Sequence, residues 1–412
     1  MKVLLANGFL YRNGGSEAVF FNTADLLLAA GHEVVLFGRE SPQNIPYPAP
    51  VYTCRSWSGR FEKIRRAVSY FYNKDAAKCL EEVILKERPD IVHVHLFWGS
   101  LSPSIIDVVH KYGIPIVHTT HDYRMLCPAY NYLNGKGEVC SKCTGGHFVE
   151  CFKGRCSKGH LIESFLMYKE MVHRNRKWHP AKVLDGIIYV SQFSRAKHME
   201  VDPLFRGIND IVMYNTTDLA SIYPDLPVDK GYYLYFGRLS PEKGIQLLAD
   251  TVRSMPSIKL LIVGTGPLED YLKDRYSGCD NIEFLGYRTG DDLYGLVRGA
   301  RFVCVPSECY ENNPMTIVEA YSLGVPVIGA DYGGITEIVE NGRTGLLFET
   351  RNSDSLKHAL LTSMELSDEQ YHSLRVKARR FAELHFNPQE YIKRLLDFYE
   401  ETIDRYKKIN KS

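Results

Sequence analysis

Two glutamates in the C-terminal half, Glu311 and Glu319, stand beside a helix start that is suited to bind an anion. The apolar run 301–306 is typical of a buried strand, which places Glu311 on a loop and Glu319 in the following helix. Pro314 fits the first turn of that helix, because a residue without an N–H costs little there. The free N–H groups of this turn belong to Asn313, Met315 and Thr316. Such groups bind diphosphates, and carboxylates accept hydrogen bonds from vicinal sugar hydroxyls. The alternative is an ordinary surface pair, since glutamates at this spacing are common in helices.

Two cations follow the first strand of the same half. Gly237 and Arg238 come at the end of the apolar run 232–237, and Lys243 stands at the next predicted helix start. Two positive side chains there can neutralise a diphosphate leaving group. The alternative is a solvated loop with an ordinary capping pattern. We favour the diphosphate site, because the loop follows the carboxyl end of a strand and is expected to face the same cleft as Glu311.

The N-terminal half offers a second group of candidates. Gly14 and Gly15 lie between the first strand and a helix that begins near Ser16, where a backbone without side chains allows a ligand to approach closely. The alternative is a simple turn. His121 and Asp122 follow the predicted strand 114–120 at its carboxyl end, and a lone histidine at that place is more often structural than functional.

The elements that must position these residues form two successive β-α series. Each series consists of short runs that are apolar at nearly every position, with helical stretches between them. Such runs are typical of strands covered on both faces. The first-series runs are 3–6, 33–38, 91–95, 114–121, 186–191 and 211–215, with helices predicted at 16–30 and 62–86. The second-series runs are 232–237, 259–264, 281–286, 301–306, 325–330 and 345–349. The pattern predicts an α/β protein with two Rossmann-like, doubly wound parallel-sheet domains facing a central cleft.

Composition and charge set the outer limits of function. The 412 residues are 45% hydrophobic and 24% charged, and 50 Lys and Arg against 49 Asp and Glu leave a net charge of +1. This near-neutral balance gives the chain as a whole no excess of positive charge with which to bind nucleic acid. The first residues are too polar for a signal peptide, and no membrane span is predicted, so we expect a cytoplasmic protein.

The segment 232–349 resembles glycosyltransferase family four, the retaining enzymes of the GT-B architecture. In that family a glycine-arginine-leucine and a lysine-glycine element precede two glutamates separated by seven residues. The resemblance implies that Arg238 and Lys243 bind the diphosphate of a sugar donor. It also implies that Glu319 holds the ribose hydroxyls and that Glu311 contacts the donor sugar.

The resemblance extends to the first half and to the chain end. The family places a histidine against the donor sugar where this chain has His121. It favours a C-terminal helix, 390–412, that completes the N-terminal domain, although a plain terminal helix stays open. The predicted domains are therefore 1–215 on the acceptor side, a linker at 216–231, and a donor-binding domain at 232–389. One departure leaves the donor sugar open, because this chain has Asn312, Asn313, Pro314 and Met315 where many relatives have Pro-Phe-Gly-Leu.

An insert within the first domain, 127–160, concentrates cysteines. Cys140, Cys143, Cys151 and Cys156 have spacings compatible with a structural zinc site, with Cys127 or His147 as substitutes. The alternatives are a disulfide-stapled loop, which a cytosolic setting disfavours, and free thiols. No catalytic metal is expected, because cationic side chains and helix N–H groups stabilise the leaving diphosphate.

Together these features predict a retaining, nucleotide-sugar-dependent hexosyl- or related glycosyltransferase. Its donor is expected to be a UDP- or GDP-linked sugar, and its acceptor a hydroxyl of a glycan or lipid-linked saccharide in polysaccharide or cell-surface glycan biosynthesis. The mixture of aromatic and basic residues at 56–72 favours either peripheral contact with the anionic cytoplasmic face of a membrane or an ordinary amphipathic helix. The rival functions are a sugar-nucleotide epimerase of the same fold and a non-catalytic binding subunit.

The residues assigned to each role form two overlapping sets. The predicted catalytic residues are Glu311, His121, Arg238 and Lys243. The predicted donor-binding residues are Gly14, Gly15, Gly237, Arg238, Lys243, Pro314, Met315, Thr316 and Glu319.

Overall fold

The computed structural model describes residues 1–55 and 62–411, and the chain divides into two compact units. The first unit comprises Met1–Met213 and Gln389–Ser412, and the second comprises Tyr214–Pro388. Residues 216–231, for which the sequence predicts a linker, belong to the second unit, and Leu219 packs in its core.

The first unit is built on a seven-stranded parallel sheet. Its strands are β1 (Lys2–Ala6), β2 (Glu33–Arg39), β3 (Val51–Cys54), β4 (Ile91–Val94), β5 (Ile116–Thr120), β6 (Gly186–Tyr189) and β7 (Asp210–Val212), in the order β3-β2-β1-β4-β5-β6-β7. The central strands β4, β5 and β6 are buried at every position, which explains their unbroken apolar character. The edge strand β3, which the sequence analysis misses, alternates instead between exposed and more buried positions.

The described residues up to Met213 also contain eight helices. They are α1 (Gly15–Ala29), α2 (Glu62–Phe71), α3 (Lys74–Glu87), α4 (Ser104–Lys111), α5 (Val149–Lys153), α6 (Leu161–Lys177), α7 (Pro180–Val183) and α8 (Gln192–Val201), with 3-10 turns at Thr144–Gly146 and Pro203–Gly207. The single helix predicted at 62–86 is wrong, because Asn73 begins a new helix. Its side chain accepts a hydrogen bond of 3.0 Å from the N–H of Ala76 and caps α3.

The second unit repeats the design with six parallel strands. They are β8 (Tyr232–Phe236), β9 (Lys259–Val263), β10 (Ile282–Gly286), β11 (Ala300–Val305), β12 (Val327–Ala330) and β13 (Gly345–Phe348), in the order β10-β9-β8-β11-β12-β13. The remaining helices are α9 (Leu219–Ile222), α10 (Ile245–Arg253), α11 (Glu269–Arg275), α12 (Gly290–Gly299), α13 (Met315–Ser322), α14 (Ile335–Ile338), α15 (Ser353–Glu365), α16 (Asp368–His385) and α17 (Pro388–Lys411), with a 3-10 turn at Pro241–Lys243. The prediction of two Rossmann-like parallel-sheet domains is confirmed.

The strand orders fix where a ligand site is expected in each unit. In the first unit the chain leaves β1 toward one edge and returns to β4 on the other side of β1. In the second unit the same reversal separates β8 from β11. Ligands of open α/β sheets bind outside the carboxyl ends of the strands at such a reversal. The loops after β1, β4, β8 and β11 are therefore the positions to inspect.

The C-terminal helix α17 packs in the core of the first unit. Its buried hydrophobic residues are Tyr391, Ile392, Leu395, Phe398 and Tyr399, which join the cluster formed by strands β1, β2 and β4 and helix α1. Among the residues described, no helix is both long and apolar enough to cross a membrane. Of the segment 56–72, residues 56–61 lie outside the described residues, and most of the rest forms α2.

Candidate functional site

A lysine and a glutamate from the loops after β8 and β11 form an ion pair. Lys243 Nζ lies 2.6 Å from Glu311 Oε1, and the two side chains are 33% and 13% exposed. Ser307, which is buried directly after β11, donates a second hydrogen bond of 2.7 Å to the same carboxylate oxygen. The reversal point of the second sheet thus holds a cation that is partly accessible and whose orientation is fixed by a carboxylate.

The electrostatics keep both partners charged. Burial by itself favours a neutral lysine and lowers the pKa of Lys243, but the charge of Glu311 and its hydrogen bond, together with the effects of Cys309 and Tyr235, raise that pKa overall. Burial likewise raises the pKa of Glu311, yet the charge of Lys243 and the hydrogen bonds from Lys243 and Ser307 lower it overall. The pair therefore persists as ammonium and carboxylate at neutral pH, and the ammonium has further N–H groups to donate.

Glycines allow the backbone around this pair to pack closely. A Cβ at Gly244, whose φ is 66°, would overlap the carbonyl oxygen of Pro306 at the end of β11. A Cβ at Gly334 would overlap the carbonyl oxygen of Asn312, and the Gly334 N–H donates a 2.7 Å hydrogen bond to the Glu311 carbonyl. Both contacts fix the loop that carries Glu311, so these glycines position the site.

Arg238 lies on the same loop after β8 as Lys243 and is a second cation there. Its side chain is exposed, and no hydrogen bond or ion pair involves its guanidinium in the described part of the chain. An exposed guanidinium with no protein partner remains available for an anionic ligand. Gly237, immediately before it, is exposed and has a φ of 151°, a backbone conformation that favours glycine.

The start of α13 differs by one residue from the predicted one. The helix begins at Met315, and Pro314 is its N-cap with φ −68° and ψ 123°, so Pro314 precedes the first turn instead of occupying it. The N–H groups of Met315 and Thr316 are still at the start of the helix, where no intrahelical acceptor is available. Glu319 is half-buried on α13, one turn after Met315 and on the face it shares with Thr316.

Asn313, which departs from the family pattern, is tied into the second unit. The backbone N–H of Asn215 donates to Asn313 Oδ1 at 2.9 Å, and Asn215 Nδ2 donates to the Asn313 carbonyl at 2.8 Å. Both residues are buried. Asn313 therefore holds the backbone before α13 in place, a role that its sequence position did not reveal.

In the first unit, the polar candidates gather after β1, β4 and β5. Gly14 and Gly15 are exposed at the start of α1, as the sequence predicts for a loop and helix start. His121 is half-buried after β5, and its Nε2 lies 2.8 Å from Nδ1 of His95, which follows β4 and is fully buried. Burial lowers the pKa of His121 to about 4, so the imidazole is neutral at pH 7. Asp122 accepts a 2.9 Å hydrogen bond from the N–H of Arg124.

Two residues of these sites were not predicted from the sequence. Ser307 is the first polar residue after the apolar run of β11, and that position is the signal from which it could have been found. His95 was assigned to a strand, but β4 ends at Val94, which leaves His95 on the loop.

The thiols of the cysteine-rich insert lie near one another. Cys143 and Cys151 are buried, and Cys140 and Cys156 are half-buried. A hydrogen bond from the Cys151 thiol lowers the pKa of Cys156. Within the described ranges, no group of three or more His, Cys, Asp and Glu side chains is arranged to hold a metal ion. Zinc binding stays a prediction of the sequence.

Two family models match the chain, one in each half. The model described as Glycosyltransferase Family 4 matches residues 13–204, and the model described as Glycosyl transferases group 1 matches residues 223–381. Both reversal-point loops of the second sheet lie within the latter range.

Curated relatives match over different lengths. An uncharacterized glycosyltransferase of Methanocaldococcus jannaschii is 35% identical over 137 residues, which is 31% of this chain and 34% of that protein. The D-inositol 3-phosphate glycosyltransferase of Segniliparus rotundus is 25% identical over 82% of this chain and 74% of its own length. The lipopolysaccharide 1,2-N-acetylglucosaminetransferase of Salmonella typhimurium is 33% identical over 37% of this chain and 43% of its own length. Matches above 30% identity thus span less than half of these proteins.

Solved structures match over nearly the whole chain. Sucrose-phosphate synthase from Thermosynechococcus elongatus superposes with a TM-score of 0.73 at 17% identity, covering 98% of this chain and 100% of that one. The Anabaena protein HepE, solved with UDP and glucose, gives a TM-score of 0.67 at 19% identity and covers 97% of this chain and 100% of its own. At such identities the match establishes the fold.

Proposed function

Because the chain belongs to glycosyltransferase family 4 and has the GT-B fold, we propose that it transfers a hexosyl residue with retention of configuration. The donor is a UDP- or GDP-linked sugar, and the acceptor is a hydroxyl of a glycan or lipid-linked saccharide. The observation that carries the proposal is the charged pair of Lys243 and Glu311 at the reversal point of the second sheet, 2.6 Å apart, with the exposed Arg238 on the same loop after β8 as Lys243.

The donor diphosphate suits the cations and the helix start. Lys243 is held charged by Glu311 and keeps N–H groups to donate, while Arg238 has no competing protein partner in the described residues. The first N–H groups of α13, from Met315 and Thr316, add partial positive charge. Glu319 accepts hydrogen bonds from the ribose hydroxyls, and Glu311 contacts the donor sugar. HepE, which was solved with UDP and glucose, supports testing uridine nucleotides first.

The proposed transfer proceeds on one face of the sugar. The bond between the anomeric carbon and the diphosphate oxygen breaks, and the acceptor oxygen bonds to the same face. The departing phosphate oxygen takes the acceptor proton, so no protein nucleophile is required. Arg238, Lys243 and the N–H groups at the start of α13 stabilise the negative charge that develops on the diphosphate. In the first unit, Gly14 and Gly15 lie against ligand and His121 contacts the donor sugar.

The acceptor is proposed to be a glycan of the cell surface. The relative from Salmonella typhimurium is named for transfer to lipopolysaccharide, which supports a saccharide acceptor.

We place the protein in the cytoplasm, with peripheral contact to the anionic cytoplasmic face of a membrane. Helix α2 supports this contact, because Ile64 and Val68 are each 64% exposed beside the exposed Arg65 and Arg66. Sedimentation with phosphatidylserine vesicles, but not with phosphatidylcholine vesicles, is the expected result, and equal binding of an Arg65→Ala, Arg66→Ala variant would contradict it.

A thermal-shift screen tests the donor site. UDP, GDP, ADP and their sugar conjugates are added to the wild type and to the Arg238→Ala and Glu319→Ala variants. A nucleotide at about a hundred times its Kd stabilises the folded state by about 2.7 kcal/mol. We expect one nucleotide family to raise the melting temperature of the wild type and to lose that effect in both variants. Arg343→Ala, which removes an exposed arginine paired with Glu340, is the matched control and should keep the shift. No shift with any nucleotide would overturn the proposed function.

A further inference from the structure

The loop after β5 carries an acid, a cation and an exposed aromatic ring. Asp122, which directly follows His121, and Arg124 are half-buried, whereas Tyr130 is 39% exposed. The Cζ atom of Arg124 lies 5.2 Å from the centroid of the Tyr130 ring. The loop leaves the carboxyl end of β5, which is the edge of an open α/β sheet where ligands bind.

Hydrogen bonds within the backbone close this loop on itself. The Tyr123 N–H donates to the Tyr130 carbonyl at 2.9 Å, and the Tyr130 N–H donates to the Cys127 carbonyl at 2.9 Å. Tyr130 has a φ of 58°, in the left-handed region that residues other than glycine seldom adopt. The closed loop returns the Tyr130 ring to the neighbourhood of Arg124.

Arg124 is held in place by a hydroxyl group and by packing. Its Nη1 donates to the Tyr70 hydroxyl of α2 at 3.3 Å, and a Cβ at Gly99 would lie 3.1 Å from the same Nη1. Arg174 of α6 donates from Nη2 to the Arg124 carbonyl at 2.7 Å. In the described part of the chain Arg124 forms no ion pair, and Nη1 is the one guanidinium nitrogen with a hydrogen bond. The remaining N–H groups are therefore available to a ligand.

Asp122 supplies hydrogen-bond acceptors on the same loop. Its Oδ1 accepts the Arg124 N–H at 2.9 Å, while no residue that the structure describes donates to its Oδ2. Burial raises the pKa of Asp122, and the charges of Arg124 and Arg174 together with the backbone hydrogen bond oppose that rise. The loop thus presents a carboxyl oxygen that accepts and guanidinium N–H groups that donate.

The charges of this region balance one another. Arg174 forms a buried ion pair with Glu170 of its own helix, with Nε and Oε1 3.0 Å apart, which leaves Arg124 and Asp122 as one cation and one anion. A site for a charged ligand carries an excess of the opposite charge, and these four side chains provide none. A hydroxyl group both donates and accepts, so vicinal hydroxyls can donate to Asp122 and accept from Arg124.

We propose that Asp122, Arg124 and Tyr130 form an acceptor subsite in the first unit and that this subsite binds a neutral saccharide. The hydroxyls of the sugar bond to Asp122 and Arg124, and its apolar C–H face stacks on the Tyr130 ring. The role as acceptor rests on the proposed function, because Asp122 directly follows His121, which is proposed to contact the donor sugar. Binding of a saccharide rests on the three side chains alone.

Saturation-transfer NMR measures saccharide binding without any donor. The full chain is mixed with methyl glycosides of the common neutral hexoses and N-acetylhexosamines, and with glucose 6-phosphate and glucuronate as anionic probes. We expect at least one neutral glycoside to bind the wild type, with the strongest saturation on its C–H protons. Binding of none of the neutral glycosides, or of the anionic probes alone, would overturn the inference.

Three variants assign the binding to this loop. Arg124→Met and Tyr130→Ala each remove one contact, and Asp122→Asn removes the charge but keeps the oxygen that accepts the Arg124 N–H. We expect the affinity for the bound glycoside to fall on the order of ten- to a hundredfold in Arg124→Met and about tenfold in the other two. Tyr271→Ala is the matched control, because Tyr271 is 45% exposed on α11 and the Arg275 guanidinium lies 5.9 Å from its ring centroid. Wild-type affinity in any of the three variants would contradict the assignment.

Nucleotide binding separates this inference from the proposed function and from misfolding. Each variant should keep the thermal shift that a nucleotide gives the wild type, because the cations proposed to bind the diphosphate belong to the second unit. In transfer assays the loss should appear chiefly as a higher KM for the glycoside. Loss of the nucleotide shift together with glycoside binding in all three variants would assign the loop a structural role and overturn the inference. If the wild type binds a glycoside but no nucleotide, the proposed function fails while the saccharide site stands.

Discussion

At Lys243 a charge is kept in place by the Glu311 carboxylate 2.6 Å away, and Ser307 donates a hydrogen bond to the same carboxylate oxygen. The arrangement restricts the ammonium to one direction while it stays partly open to solvent. Preorganised donors of this kind stabilise a developing negative charge without having to reorganise during the reaction.

Replacing Lys243 with Met should therefore reduce the rate of transfer strongly. We expect kcat to fall on the order of a hundred- to a thousandfold, which is the usual cost of removing one preorganised donor. Lys273→Met is the matched control, because Lys273 pairs with Glu269 on the surface helix α11 and should leave kcat unchanged. Initial rates with the nucleotide sugar identified in the thermal-shift screen measure both, and a Lys243→Met variant with more than a third of wild-type kcat would contradict the proposed role.

Because His118 is buried, we expect the free energy of unfolding to depend on pH. Burial lowers its pKa to about 3, so the folded state keeps it neutral while the unfolded state takes up a proton below about pH 6.5. Stability is therefore full above pH 6.5 and is lost as the pH falls toward 3, by up to about 1.4 kcal/mol per pH unit. His118→Asn should make the free energy of unfolding between pH 6 and 5 less steep by about that amount. Denaturant titrations measure it, with the exposed His372→Asn as the variant whose slope should stay the same. Equal slopes for wild type and His118→Asn would refute the assignment.

At the scale of elements, glycine-mediated contacts join loops that follow different strands. The loop after β12 packs closely against the loop after β11 where Gly334 lacks a side chain, and the Gly334 N–H donates to the Glu311 carbonyl at 2.7 Å. The loops after β8 and β11 are joined in turn by a 2.9 Å hydrogen bond from the Glu308 N–H to the Glu242 carbonyl. The carboxylate of the site is thus placed by three loops together.

Gly334→Ala should disturb both stability and activity. The added methyl group would overlap the carbonyl oxygen of Asn312, so the Glu311 loop has to move. We expect a loss of about 1–3 kcal/mol in the free energy of unfolding, as for other overpacked positions, together with a clear loss of nucleotide-induced stabilisation. Gly295→Ala in α12 is the control, because a Cβ there meets no atom within 4 Å and alanine favours a helix. If both variants bind nucleotide like the wild type, the contact does not position the site.

At the scale of the whole molecule, the chain returns to its first unit after completing the second. Helix α17 supplies five buried side chains to the core of the first unit, and its Tyr399 hydroxyl lies 2.6 Å from His93 Nδ1. The first unit is therefore complete only when the last residues of the chain have folded onto it.

Removing one aromatic ring from α17 should show this dependence. Phe398 is 3% exposed, and its ring packs against Gly186 on β6. A Cβ at Gly186 would lie only 2.9 Å from the Phe398 ring. Phe398→Ala should cost about 3–5 kcal/mol of stability in the first unit. The neighbouring exposed residue gives the control, since Asp397→Ala should change stability by less than about 0.5 kcal/mol. Amide hydrogen exchange in β4 and β6 is the measurement, and unchanged exchange in Phe398→Ala would contradict the packing role of α17.

The sequence alone determined the class of fold, every strand of the two sheets except β3, and the residue types of the proposed donor site. It did so because strands buried on both faces are apolar at nearly every position, and because Arg238, Lys243 and Glu311 lie on the loops that follow such strands. The break before α3 and the edge strand β3 were not predicted, because a single capping residue and a half-exposed strand change the hydrophobicity pattern very little.

Only the tertiary structure decided which side chains share a site. The pairing of Lys243 with Glu311 spans 68 residues, that of Asn215 with Asn313 spans 98, and that of His93 with Tyr399 spans 306. Periodicity reports on the surroundings of a residue within its own element, whereas these contacts depend on the order of strands in the sheet. That order is fixed by packing many elements together, and so the partners of Lys243, Asn313 and His93 could not be inferred from the residues near them in the chain.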